Sequence, residues 1–179
     1  MISFIILGYR QREKDYATPL VKSVRGYEPD TEIILVDCNS DPHYKKSDSY
    51  KLVRVPEPFN ASRCLNLGIA ASKGDWLMLS NDDVACQGKF ADRVTRLDRG
   101  TLYGIDLAPK AIRHMGFQKK VLTVYGWMMI LHADLFDQLG DFSEDKAGDV
   151  EYSIRAIEAG VPVKAVVLPF RHLHHHRRG

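Results

Sequence analysis

Three short runs, ISFIILG (2–8), EIILVD (32–37) and DWLMLS (75–80), are apolar at nearly every interior position. A strand with one face in water alternates apolar and polar residues, and these do not, so both of their faces must be buried. Strands of that kind form parallel sheets with helices packed on either side. The stretches between them supply the helices. Thr18-Pro19 reads as an N-cap followed by proline at the first helical position, with Leu20, Val21 and Val24 on one face and Gly26 closing the helix. Asn60 caps a second helix running to Ser72, with Leu65 and Ile69 on its apolar face and Gly74 just past its end.

The rest of the chain is more mixed. KLVRV (51–55) is an alternating strand, and a weaker helix lies around Phe90, Val94 and Leu97. VLTVYGWMMIL (121–131) reads as strand interrupted at Gly126. HADLFDQLG and GDVEYSIRAIEAG are helical, the second stopped by Gly160 and Pro162, and PVKAVVL (162–168) is a last strand. This order predicts a single α/β domain with a mixed, largely parallel central sheet. With 179 residues, no repeat and no linker, one domain covers 1–170, followed by a His/Arg-rich tail, 171–179.

Composition excludes several classes of function. The net charge of +2 offers no general surface for polyanions, and RHLHHHRRG is the one local basic patch, so no nucleic-acid partner is expected. Cys38, Cys64 and Cys86 are odd in number and widely spaced, which fits neither a zinc site nor a disulfide framework and points to a reduced, cytoplasmic compartment. MISFIILGYR has no basic region before its apolar residues and reads as a strand, not a signal peptide. No apolar run approaches the ~20 residues that a transmembrane helix needs.

Ligands of open α/β sheets sit beyond the carboxyl ends of the strands. Here those ends are Gly8-Tyr9-Arg10, Asp37-Cys38-Asn39-Ser40 and Asn81-Asp82-Asp83. Neither G-x-G-x-x-G nor G-x-x-x-x-G-K-[ST] occurs, which argues against a nicotinamide or flavin dehydrogenase and a P-loop nucleotidase. A turn uses one Asn or Asp, whereas Asp82 and Asp83 repel each other side by side unless a cation, or a ligand bringing one, is near. Asp83 is the expected oxygen ligand for Mn²⁺ or Mg²⁺. Asp37 is the expected acceptor for a ribose hydroxyl or base N–H. The two describe a site for a metal-bound nucleoside diphosphate.

These residues resemble glycosyltransferases of the GT-A fold, family 2 above all. SKGDWLMLSNDDV is similar to their acidic D-x-D-type segment, with Asn81 in place of the first aspartate. VPEPFNASRCLNLGIA resembles the F-N…L-N-x-G segment of the β-1,4-galactosyltransferase-like families, with Ala61 where they carry arginine and Arg63 nearby. YGWMMILHADLFDQLGDFSEDKAGDVEYSIRAIEAG resembles their acceptor-side block, with Gly148 in place of the glutamate of their E-D pair. The resemblance implies transfer of a sugar from a nucleoside diphosphate sugar, UDP-sugar favoured, to a saccharide or other hydroxyl acceptor. By it Asp149 is the general base, with inversion favoured. Glu151, matching a pattern of retaining enzymes, keeps the stereochemistry open. Tyr9, Arg10, Asp37, Phe59, Asn60, Arg63, Asn81 and Asp82 face the donor, and Gly126 and Trp127 the acceptor. Asp83 with His172 or His174 holds the metal.

Each reading has a structural alternative. Asn81-Asp82-Asp83 also suits a solvated turn, Asp37 an Asx loop, Asn60 an N-cap, Trp127 a core position, and Asp149 and Glu151 helix-start acids favoured by the dipole. The tail also suits an artificial end. Two other functions stay open: a nucleotidyltransferase of similar architecture, and a non-catalytic nucleotide-sugar or carbohydrate-binding module.

Overall fold

The computed structural model describes residues 1–9, 15–55, 58–114, 117–145 and 148–173, with the backbone alone for 112–119. Its centre is a seven-stranded sheet built from β1 (Ile2–Gly8), β2 (Glu32–Asp37), β3 (Lys51–Arg54), β4 (Trp76–Asn81), β6 (Leu102–Gly104), β9 (Met128–His132) and β10 (Val163–Ala165). Their spatial order is β10-β6-β9-β4-β1-β2-β3. All pairings are parallel except those of β9, which runs against both β4 and β6. The expected mixed, largely parallel sheet is therefore the one that forms.

The non-alternating runs behave as their composition requires. Phe4 and Ile6 of β1, Ile33 and Leu35 of β2, Trp76 and Met78 of β4, and Met128 and Ile130 of β9 fill one face. Ile5, Ile34, Val36, Leu77, Leu79, Met129 and Leu131 fill the other. Helix α1 (Ala17–Tyr27) covers the first face through Leu20, Val21 and Val24. Helices α2 (Ala61–Ala70), α4 (Ala133–Leu139) and α5 (Gly148–Glu158) contribute to the second. No helix among the described residues is long and apolar enough to cross a membrane.

Some boundaries differ from the sequence expectation. Thr18 does not cap α1. Asp15 does, accepting from the Thr18 N–H at 3.0 Å and from its hydroxyl at 2.7 Å, because its carboxylate precedes the helix where Thr18 already lies inside it. The helix near Phe90 is a single turn, α3 (Ala91–Val94), whose start is held by Glu28 Oε1. The 121–131 run divides between two sheets at Gly126. Its first part ends β8 (Phe117–Val124), the return arm of a hairpin with β7 (Leu107–His114), and its second part is β9. Of PVKAVVL only Val163–Ala165 is strand, and Val167 beyond it is 84% exposed.

Of the three-residue strands that were not anticipated, two matter most for the site. β5 (Val84–Cys86) and β11 (Phe170–His172) pair antiparallel, with His172 opposite Val84. Phe170 anchors β11 to the core, its ring 5.5 Å from that of Phe4 and 5.1 Å from that of Phe90. Burying such a side chain is worth about 2–3 kcal/mol. The chain thus runs as β11 across the 170/171 division drawn between domain and tail. Arg10 and His174 lie outside the described residues.

Candidate active site

The carboxyl ends of β1, β2 and β4 meet the amino end of β9, because β9 alone runs the other way. Asp83 follows β4 directly. Its Oδ2 lies 3.2 Å from His172 Nε2, and both side chains are largely enclosed, at 20% and 16% exposure. The backbone supports this pairing, since Leu173 N–H donates to the Asp83 carbonyl at 2.9 Å. Asp83 Oδ1 is buried with no hydrogen-bond partner among the described residues. A buried carboxylate oxygen without a partner is costly unless something cationic or protic meets it.

The Gly126-Trp127 dipeptide links this pair to Asp149 of α5. The Trp127 ring is buried and stacks on His172, with centroids 5.3 Å apart and planes at 25°. Its Nε1–H donates to Asp106 Oδ2 at 3.1 Å, and its carbonyl accepts from Asn81 N–H at 3.1 Å. Trp127 is therefore a core residue whose exposed neighbour is Tyr125, 41% accessible. Gly126 N–H donates to Asp149 Oδ2 at 3.0 Å. A Cβ on Gly126 would stand 2.7 Å from that same oxygen, so only glycine lets the backbone approach this closely. Asp149, in the first turn of α5, is half-buried, and its other oxygen makes no bond to a described residue.

At the end of β1, Asp82 is engaged by the backbone. Its Oδ2 accepts from Tyr9 N–H at 2.9 Å, and burial pushes its carboxyl up to about 6 against the lowering effect of that bond. Tyr9 and Phe59, 47% and 52% exposed, stand with their ring centroids 5.9 Å apart. They form an exposed aromatic corner beside the end of β1. Asp37 is buried, and its oxygens accept from Ser40 N–H at 2.9 Å and Tyr44 N–H at 3.1 Å. His43 Nδ1 approaches it at 3.2 Å with a half-exposed ring. Asp37 thus organises the loop after β2, with His43 presented on it.

The family model of glycosyl transferase family 2 matches residues 3–148. The chain belongs to that family. Its fold is the GT-A fold, shared with the mannosyltransferase PcManGT from Pyrobaculum calidifontis solved with GDP-Man and Mn²⁺ (TM-score 0.62, 12% identity, 92% of this chain and 54% of that one). It is shared equally with S. aureus TarS 1–349 (TM-score 0.63, 15% identity, 94% and 59%). The bifunctional IspDF from Campylobacter jejuni is similar too (TM-score 0.60, 13% identity, 92% and 49%). The chain spans about half the length of these solved structures. No curated protein matches its sequence.

Other expected donor residues of this family 2 chain have partners of their own. Asn60 caps α2, accepting from Arg63 N–H at 3.0 Å, and its Nδ2 donates to the Glu144 carbonyl at 2.9 Å. The Arg63 guanidinium is paired with Glu144 Oε2 at 2.5 Å. Glu151 is held by Arg155 one turn later, through bonds of 3.0 and 2.5 Å. That arginine also binds the Leu139 and Asp141 carbonyls. Three residues near the site were not read from sequence: His43, Asp106 and Asn66. His43 and Asp106 carry no pattern that would mark them. Asn66 stood in the L-N-x-G segment, yet its partner is distant in sequence.

Proposed function

We propose that this chain transfers a glycosyl group from a nucleoside diphosphate sugar to a hydroxyl acceptor, inverting at the anomeric carbon, with UDP as the favoured nucleotide. The observation that carries this reading is Asp83: a largely enclosed carboxylate, one oxygen beside an imidazole and the other buried without a hydrogen-bond partner among the described residues. A carboxylate oxygen and an imidazole nitrogen suit Mn²⁺ well and Mg²⁺ less well. Among the described residues no third His, Cys, Asp or Glu joins them. Asp83 and His172 would hold the ion, and phosphate or water oxygens would complete its shell. When bound, such an ion offsets the charge that grows on the diphosphate leaving group.

The chain's own groups then divide the work. Tyr9 and Phe59 present aromatic surface to the nucleobase, held by the Asp82 bond to the Tyr9 N–H. Asn81 faces the ribose, and the Asp37 loop with His43 closes the nucleoside end. Asp149, fixed through one oxygen by Gly126, takes the acceptor proton with the other. General-base action of this kind is worth ~10²–10⁴ in rate.

Titration calorimetry with UDP, in Mn²⁺ and then in EDTA, tests the reading. Mn²⁺ should strengthen binding in the wild type, and both Asp83→Ala and His172→Ala should abolish that gain. Equal affinity with and without Mn²⁺ would remove the metal from the account.

A further inference from the structure

The L-N-x-G part of the sequence, Leu65 to Gly68, has no place in the chemistry above. Gly68 presses α2 onto the sheet: a Cβ there would stand 2.6 Å from Ile5 Cγ2 and 2.9 Å from Val36 Cγ2. With α2 seated so closely, Asn66 meets the segment between α4 and α5. Its Oδ1 accepts from Phe142 N–H at 2.9 Å, and its Nδ2 donates to the Phe142 carbonyl at 2.9 Å. One side chain thereby satisfies both backbone groups of a residue 76 positions away. A carboxamide is the one uncharged side-chain group that offers donor and acceptor in this planar arrangement.

Phe142 is a pivot and not a surface residue. It is 1% exposed, and its ring stacks on Tyr152 of α5, with centroids 4.0 Å apart and planes at 17°. A second contact fixes the start of α5, where a Cβ on Gly148 would stand 2.7 Å from Ser62 Oγ of α2. Asn60 and Arg63 add bonds from α2 to Glu144 in the same segment. Helix α2, which begins at the donor end, therefore sets the place and rotation of α5. The first turn of α5 carries Asp149.

We propose that Asn66 is a positioning residue for the transfer reaction: by holding Phe142 it keeps Asp149 where it meets Gly126 and the acceptor hydroxyl. This rests on Asp149 being the base, as in the proposed function. Asn66 touches neither nucleotide nor acceptor and acts through the base alone.

A double-mutant cycle with an independent structural readout tests the assignment. Asn66→Ala should lower turnover, read as UDP release, about 10- to 100-fold, the usual cost of a displaced catalytic group. UDP affinity in Mn²⁺ should stay within about twofold. Combined with Asp149→Asn, it should cause no further loss, since its effect runs through that carboxylate. Amide hydrogen exchange over residues 142–151 should quicken in Asn66→Ala alone. A full multiplicative loss in the Asp149→Asn background, or unchanged turnover, overturns the proposal. Unchanged exchange overturns it as well, and that readout stands even if the wild type shows no transfer, in which case the proposed function fails separately. Asn66→Asp keeps the acceptor for Phe142 N–H and loses the donor, and it replaces the alanine variant in every arm if that variant does not fold.

Discussion

Two aspartates stand past the ends of the two strands that flank β1, and they have opposite surroundings. Asp37, after β2, has both oxygens engaged by Ser40, Tyr44 and His43 of its own loop. Asp83, after β4, has one oxygen beside His172 and the other with no hydrogen-bond partner among the described residues. In sequence the two look alike, an acid following an apolar run. The difference is in where the next residues go. After Asp37 the chain turns back with Asn39 in the left-handed region, φ 61°, and delivers backbone N–H groups to the carboxylate. After Asp83 it continues as β5, so its N–H groups belong to a ladder with β11. A carboxylate that its own loop satisfies builds structure, and one left open is available for a ligand. Glu151, locked to Arg155, and Asp149, with one oxygen open, repeat the contrast on α5.

The largest test of that contrast is on α5. Asp149→Asn should lower turnover by ~10²–10⁴, about 3–5 kcal/mol of barrier, with UDP affinity changed less than about tenfold. Glu151→Gln should leave turnover near wild type, and steady-state kinetics on the pair decides whether the open acid is the base. If Glu151→Gln is the dead variant, the contrast fails and a retaining route gains. The strand-end pair differs in stability instead. Asp37→Ala strands two backbone donors and should cost roughly 1–3 kcal/mol for each, read by urea unfolding. Asp83→Ala, which removes an unsatisfied group, should unfold at the wild-type urea midpoint or above it. The smallest effect is a control in the core. The Tyr152 hydroxyl is also buried without a hydrogen-bond partner among the described residues, but it is neutral and packs against Phe142. Tyr152→Phe should change stability by less than about 1 kcal/mol and leave metal-dependent UDP binding intact. A loss of binding there would show that partnerless polar atoms do not mark the site.

The sheet's centre was legible because burial on both faces leaves a continuous apolar run, as in ISFIILG, and no other structure absorbs one so readily. Its margins were not. β5, β6 and β11 are three residues each, too short for any period to show, and their stability comes from ladders closed far along the chain. The acids of the site were legible as an excess over what a turn needs. Their roles were not, because partners decide roles, and Arg63, read as a candidate for phosphate, meets Glu144 81 positions away. His172 was reached only through the family resemblance, since a histidine in RHLHHH carries no mark of the strand it closes. Asn66 shows the same limit: its partner is a backbone, and backbones have no letter in a sequence.

The β5–β11 pairing also fixes an order in time. A ribosome makes Asp83 well before His172, with strands β6 to β10 and helices α3, α4 and α5 emerging between them. A nascent chain halted before Phe170 already holds the apolar strands that drive collapse, yet it lacks the imidazole that would share an ion with Asp83. The central sheet is thus able to collapse before the Asp83–His172 pair closes.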